Sequence, residues 1–456
     1  MVERMPPQQS AIPMRLIESL ATTPAMAEVF SDSSVLQAML EFEVSLAAAE
    51  ARVGVIPASA AAAIAQAAVP AAFDLASLSE KALRAGTPAI PLVQTLTARV
   101  RAANEEAARF VHWGATSQDV VDTALVVLLE RSRAILAADR SGLETALRRL
   151  SDQHAGTAML GRTMLQAAPP ITFGLKAAGW FGAAARGWSR VDSRFEEARV
   201  LQFGGAAGTL ASLGESGIPV SRELARELRL KLPGAPWHAH RDRLAALVCA
   251  CGVYVGSLGK MARDVAMLMQ NEVAEAAEPA GEGRGGSSTM PHKRNPTGCS
   301  LALAAAARVP GYVSSFLSGM AQEHERALGG WQAEWATIAR VMQDTGLALA
   351  SVREVAGGLT VDSRRMRENI ASTRGVVFAE RAMMLLGPAL GRDVAHEILE
   401  RAARRSLETG RKFKEVLPEI PEVARVLAPA QIDDLDSPES YLGSAEIFRR
   451  RLLESD

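Results

Sequence analysis

The sequence predicts an all-α fold built around a bundle of long helices. Aromatic residues make up only 5% of the chain and alanine is abundant. That balance suits close-packed helices better than sheets, where aromatic and β-branched side chains gather. From Leu244 the apolar residues fall at Leu244, Leu247, Cys251, Tyr254, Leu258, Met261, Val265 and Leu268. Spacings that alternate between three and four mark the seam of a helical bundle. The same period recurs in three other stretches, and none reads as a convincing strand or an internal repeat.

Taken in order, residues 1–112 read as several shorter helices punctuated by Pro57, Pro70, Pro88 and Pro91, because proline breaks helix interiors. A long pattern follows Asp119, through Val121, Leu125, Leu128, Ile135 or Leu136, Leu143, Leu147 and Leu150. Another runs Leu175, Ala178, Ala185, Trp188, Val191 and Phe195. The Leu244 seam predicts a helix roughly 40 Å long. Gly252, Gly256 and Gly259 lie inside it. Glycine there costs about 1 kcal/mol against alanine, so close backbone approach to neighbouring helices is expected. The last pattern runs Trp331, Trp335, Ile338, Met342, Leu349 and Val352 and ends at Gly357–Gly358. The expected domains are an N-terminal helical domain 1–112, a central long-helix bundle 113–360 and a C-terminal helical domain 361–456. Helices of this length need one another, and copies from other chains, to cover their apolar stripes.

The 456 residues exceed one ordinary domain, and 48% hydrophobic with 22% charged residues is a globular balance. A net charge of −1 offers no positive excess to nucleic acid or an anionic membrane. The arginine runs at Arg148–Arg149, Arg364–Arg365 and Arg449–Arg451 read as solvated helix faces. Three cysteines rule out a disulfide framework. No signal peptide and no charge-free apolar run of about 18 residues is visible, so a cytoplasmic protein without a membrane span is expected.

The chemistry concentrates between residues 279 and 296. Gly281, Gly283, Gly285 and Gly286 disfavour helix in the first half, and Pro291 and Pro296 bar it from the second. The resulting loop carries Ser287, Ser288, His292, Lys293, Arg294 and Asn295. A solvated linker rarely holds so many hydrogen-bonding groups beside two prolines. These residue types suit moving a proton next to a carboxylate. That step passes through a doubly charged enediolate, which Lys293 and Asn295 can hold. Ser287 can carry the proton if backbone N–H groups of the glycine loop stabilise its alkoxide.

The run Gly286-Ser287-Ser288-Thr289-Met290-Pro291-His292-Lys293-Arg294-Asn295-Pro296 resembles the signature loop of the fumarase/aspartase superfamily. Two further segments agree in order and spacing. His112-Trp113-Gly114-Ala115-Thr116-Ser117-Gln118-Asp119 resembles that superfamily's Thr-Ser element at the start of a long helix. Gly161-Arg162-Thr163-Met164-Leu165-Gln166 resembles its second conserved region. The resemblance implies a homotetramer on a many-helix central bundle, with each active site formed by three chains. It implies Ser287 as the proton-transfer residue and Thr116, Ser117, Thr163, Lys293 and Asn295 as carboxylate binders.

Met164 is a departure. Most members of the superfamily place a histidine directly after that threonine, where it helps to protonate the leaving group. Hydroxide or amine leaving groups benefit from such an acid. A carboxylate, with a pKa of about 4, needs none at pH ~7. Met164 therefore points to an intramolecular reaction of a carboxylate, the alternative being that His112 or His154 takes over. Lactone formation from a muconate meets the requirement. The chain also resembles the bacterial carboxymuconate-lactonising branch. Thr87-Pro88-Ala89-Ile90-Pro91-Leu92-Val93 stands where adenylosuccinate lyases usually have a histidine-aspartate element. Pro236-Trp237-His238 leads into Arg241-Asp242-Arg243, and Gln322-Glu323-His324-Glu325-Arg326 precedes Trp331 and Glu334-Trp335. The resemblance implies a small tricarboxylate substrate from the breakdown of protocatechuate.

Such a substrate calls for cations, since arginine grips carboxylates through paired hydrogen bonds. Arg326 and Lys293 lead, with Arg162, Arg241 and Arg294 behind them. His112 is a candidate donor to a carboxylate, and His154, His238 and His292 are further candidates. His396 reads as structural and His324 as a residue orienting Arg326. Gly204, Gly205 and Gly208 are expected to shape a tight turn near the site. No metal and no cofactor is expected: the seven histidines hold no His-x-x-x-His pair, and no nucleotide-binding glycine turn follows a strand. The competing readings are an adenylosuccinate-type lyase, a cycloisomerase acting on a sulfonated muconate, and a catalytically silent helical structural protein.

Overall fold

The computed structural model describes residues 16–281, 283–286, 289–290 and 292–454. Helix dominates, as the seam pattern requires. Two compact units are each assembled from three stretches of chain. The first takes residues 1–140, 187–259 and 301–350, and the second takes 141–186, 260–300 and 351–456. The four long patterns are the helices Ser117–Gln153, Phe173–Ala198, Asp242–Leu268 and Gly330–Gly358. All eight seam residues from Leu244 to Leu268 are buried. A further long helix, Thr297–Ser318, follows the signature loop. Its run of alanines and its internal Pro310 hide it from a periodicity reading.

In the first unit the helix Asp32–Val53 starts at Ser31, whose hydroxyl accepts from Ser34 N at 3.2 Å, and stops at Gly54 in the left-handed region. It buries Leu36, Phe42 and Leu46 in a core shared with Leu92, Leu96, Val120, Leu128, Phe203, Val220, Leu224 and Trp331. A Cβ on Gly252 would lie 3.0 Å from Val313, and one on Gly259 would lie 2.7 Å from Ala306. The expected close approach therefore holds at these two glycines. Gly256 faces open space. The helix Asp242–Leu268 has the length and apolar composition of a membrane span. Its seam is buried against protein, as in a core helix.

In the second unit the helices Ala379–Leu390 and Arg392–Thr409 enclose a core of Phe378, Leu386, Ile398, Leu399, Phe413 and Leu417, joined by Leu160. This unit also corrects the expectation that no strand is present. β1 (Ala158–Thr163) and β2 (Gln166–Thr172) form an antiparallel hairpin with an irregularity between Leu160 and Gly161. A second, minimal pairing joins β3 (Ala276–Ala277) to β4 (Thr360–Val361). The hairpin was illegible because β2 contains Pro169 and Pro170, which cannot donate to a ladder. Its two-residue turn is Met164-Leu165 rather than asparagine or glycine, although both residues adopt positive φ (50° and 65°).

Candidate active site

The first unit gathers four of the sequence candidates at the N-terminus of the Ser117–Gln153 helix. Thr116 precedes that helix, and its backbone N–H donates to Asp119 Oδ2 at 3.0 Å. This is the reciprocal half of a capping box. Asp119 is fully buried and accepts four further bonds. Gly205 N donates to Oδ2 at 2.9 Å, while Gln202 Nε2 (3.0 Å), Gly204 N (3.0 Å) and His238 Nε2 (2.8 Å) donate to Oδ1. The carboxylate thus ties the helix start to the Gly204–Gly208 turn, where Gly205 and Gly208 take φ of 67° and 83°. Gly204 has no room for a side chain, since a Cβ would meet Pro236 at 2.7 Å and His238 at 2.9 Å.

Arg326 donates from Nη1 to Thr116 Oγ1 at 2.8 Å and from Nε to Gln118 Oε1 at 3.2 Å. Gln118 passes the restraint on, donating to Asp122 Oδ2 at 3.1 Å and to His238 O at 2.8 Å. Arg326 therefore arrives pre-oriented and half-buried beside Thr116 and Ser117. Pre-orientation lowers the ordering cost of gripping a carboxylate. His112 lies four residues ahead of Thr116 with φ of 59°, an uncommon left-handed conformation for a histidine. Its Nδ1 lies 2.7 Å from Glu43 Oε1, and Glu43 is buried. Burial favours the neutral ring, but the charge and hydrogen bond of Glu43, with the charge of Asp119, overcome this and raise the imidazole above its ordinary pKa.

The second unit holds the remaining described candidates. Lys293 and Asn295 line a cavity of about 940 Å³ together with His292, Arg294, Asn271 and Arg364. Lys293 is exposed and Asn295 half-buried. The stem of the signature loop is closed by Asn295 N donating to Gly285 O at 2.8 Å. Gly285 has φ of 66°, and a Cβ there would lie 2.7 Å from Asn295 O, so only glycine fits. Glu278 anchors the far side. It accepts from Gly298 N at 2.9 Å and Cys299 N at 2.7 Å at the start of the Thr297–Ser318 helix, and its carbonyl accepts from Arg294 at 3.3 Å. Ser287, the serine of the signature loop, lies outside the described residues. Thr163 ends β1, pairs with Gln166 and is exposed. It does not line the cavity, and Met164 beside it is 97% exposed.

Several secondary candidates have other roles. Arg241 is fully buried: it donates to both oxygens of Asp122 (2.7 and 3.0 Å) and of Glu334 (2.7–3.2 Å). Its guanidinium also stacks 4.6 Å from the centre of the Trp237 ring, and its charge is spent on two buried carboxylates of the fold. Arg162 is held bidentate by Glu275 at 2.7 and 2.9 Å. His238 is buried on Asp119. His154 packs edge-on to Phe173, and burial lowers its pKa. His324 is exposed with φ of 50° and makes no hydrogen bond to Arg326. His396, expected in an apolar face, is exposed. Sequence reasoning left Gln118, Asp119 and Glu43 without roles. The Thr-x-x-Asp offset of a capping box could have found Asp119. Glu43 had the weaker signal of an acid among apolar neighbours.

Residues 18–311 match the lyase family, and residues 375–452 match the adenylosuccinate lyase C-terminus. The chain is 46% identical to 3-carboxy-cis,cis-muconate cycloisomerase of Bradyrhizobium diazoefficiens, over 96% of this chain and 98% of that one. It is also 46% identical to the enzyme of the same name from Pseudomonas aeruginosa, over 96% of each chain. The crystal structure of 3-carboxy-cis,cis-muconate lactonizing enzyme from Pseudomonas putida superposes with a TM-score of 0.90 at 43% identity, covering 96% of this chain and 98% of that one. The chain belongs to the lyase family of the fumarase/aspartase superfamily.

Proposed function

We propose that the chain lactonises 3-carboxy-cis,cis-muconate to 4-carboxymuconolactone, an intramolecular and cofactor-independent reaction in protocatechuate breakdown. We further propose that it works as a cytoplasmic homotetramer whose active sites are shared between chains. The observation that carries the choice of reaction is Met164, at the hairpin turn after Thr163. A thioether has no proton to give, and no leaving group needs one when the reacting group is a carboxylate.

One substrate carboxylate adds through oxygen to the far carbon of a double bond. The π pair moves to the carbon beside another carboxylate and makes the enediolate. The ring is closed by that C–O bond; the carbon then takes the hydroxyl proton of Ser287, and the alkoxide left behind is reprotonated from solvent. The attacking group has a pKa of about 4 and is already an anion at pH ~7. In this reading Lys293 and Asn295 stabilise the enediolate. Thr116, Ser117, Thr163, Arg326 and His112 bind the carboxylates. The orientation of Arg326 by Thr116 and Gln118 supports its role. An adenylosuccinate-type lyase is the second reading, favoured by the match over residues 375–452. That segment contains none of the candidate site residues.

The deciding experiment offers the purified protein 3-carboxy-cis,cis-muconate and adenylosuccinate separately. Loss of muconate absorbance without cleavage of adenylosuccinate is expected; the reverse outcome overturns the proposal. In the same assay Ser287→Ala is expected to abolish turnover with the assembly mass unchanged, and near wild-type turnover would end the serine role. Met164→His is expected to bring no gain, and a large gain would mean that an acid is needed there after all.

A further inference from the structure

Glu43 is buried on the helix Asp32–Val53, and the chemistry above does not use it. It is 1% exposed, sits between Phe42 and the core residue Leu46, and leaves its Oε2 without a hydrogen-bond partner. Its Oε1 reaches His112 Nδ1 at 2.7 Å. Two helical turns further along, Glu50 is also fully buried, with neither carboxyl oxygen partnered. The ring of His112 makes no second hydrogen bond among the described residues, so Nε2 is left for a ligand.

We infer that Glu43 is a positioning residue of the carboxylate site: it fixes the orientation of the His112 ring and holds it as the imidazolium, so that Nε2–H donates to a substrate carboxylate. The inference rests on reading the start of the Ser117–Gln153 helix as a carboxylate site.

The reason is the inventory of an imidazole. A neutral ring has one N–H and one lone pair. If Nδ1–H is committed to Glu43, a neutral His112 turns a lone pair toward an incoming carboxylate and repels it. Only the imidazolium donates from both nitrogens. The charged groups around the ring favour that form. Glu43 faces it from the Asp32–Val53 helix and Asp119 from the Ser117–Gln153 helix. Arg326, from the segment ahead of the Gly330–Gly358 helix, keeps its charge while it donates to Thr116 and Gln118, and the pKa of the ring is set by its burial, Glu43 and Asp119. Glu50 supports the arrangement. Burial and then the charge of Glu43 push its carboxyl up to about 9, so it stays neutral and adds no second negative charge beside Glu43. The conformational cost of His112 at φ 59° fits a ring held where a ligand needs it.

The test compares wild type with Glu43→Gln, which keeps shape and hydrogen bonding and removes the charge. In the full-length protein the 13Cε1 resonance of His112, assigned by its loss in His112→Gln, is titrated from pH ~5.5 to ~9. The expected result is a midpoint above ~6.5 in wild type and a lower one in Glu43→Gln. Equal midpoints overturn the inference. In the kinetic arm, KM for 3-carboxy-cis,cis-muconate at pH ~7.5 is expected to rise about tenfold in Glu43→Gln, with kcat within about twofold. Glu43→Asp, which restores the charge, is expected to recover most of the loss. The proton is lost as the pH rises through the raised pKa of His112, so KM should climb with pH, beginning at lower pH in Glu43→Gln. A KM unchanged by the substitution overturns the ligand-facing half. If Glu43→Gln does not fold, His112→Asn carries the same kinetic test: KM must rise and its pH dependence must flatten, and a wild-type profile overturns the proposal. A protein with no cycloisomerase turnover would refute the proposed function, while the titration would still decide the Glu43–His112 pairing.

Discussion

The substitution Asp119→Asn tests whether one buried carboxylate organises the helix start on which the first-unit candidates depend. The five donors divide as two on Oδ2, both backbone N–H groups, and three on Oδ1, of which Gly204 N is backbone. An asparagine must put its amide nitrogen in one of those places. On the Oδ2 side it faces Thr116 N and Gly205 N, neither of which can become an acceptor. On the Oδ1 side His238 can change tautomer. Gln202 is tied by its own Oε1 accepting from Trp237 N at 2.7 Å, and Gly204 N stays orphaned. Each buried donor left unpaired costs about 1–3 kcal/mol, and the surviving bonds lose their charge assistance. The sum is about 3–5 kcal/mol. At roughly 2–4 °C per kcal/mol for a domain of 150–250 residues, the melting temperature should fall by about 6–20 °C. Differential scanning calorimetry at neutral pH reads this directly, with kcat/KM measured well below the new midpoint. A variant melting within about 2 °C of wild type would refute the claim that the carboxylate carries the network.

Two further expectations come from other residues. Glu50 has its carboxyl raised to about 9 by burial, with the Glu43 charge second. The folded chain therefore keeps a proton that the unfolded chain releases above about pH 4.5, and stability falls as the pH rises through that window. Glu50→Leu should stabilise the protein by about 1–3 kcal/mol at pH ~8 and by less at pH ~5. Urea midpoints at the two pH values check this, and a gain that shrinks at the higher pH contradicts the sign. Gly285→Ala puts a Cβ against Asn295 O in a backbone region that disfavours it. A loss of about tenfold or more in kcat/KM with little change in melting temperature is expected, since the stem belongs to a loop. Wild-type kinetics in that variant would mean that the stem does not shape the site.

What the sequence revealed and what it concealed follow from the range of each interaction. Periodicity is local, so the Leu244–Leu268 seam could be read residue by residue, and its burial follows from a pattern that any helix would present to its neighbours. Capping is nearly as local. The Thr116–Asp119 offset stood in the sequence, although nothing there announced that the same carboxylate would gather donors from Gln202, Gly204, Gly205 and His238. The β1–β2 hairpin was lost because both its turn and its second strand use residues that turns and strands usually avoid. Charge pairing across long separations left no trace at all. Arg241 reads as a ligand-binding arginine because its sequence neighbourhood shows neither Asp122 nor Glu334, and the structure pairs its charge with both of those carboxylates and stacks it on Trp237. Arg326 stood in equal ignorance. Its partners, Thr116 and Gln118, are neutral side chains that orient its charge without cancelling it. That difference separates a cation spent on the fold from one still able to meet a carboxylate, and it can be read only once the partners are known.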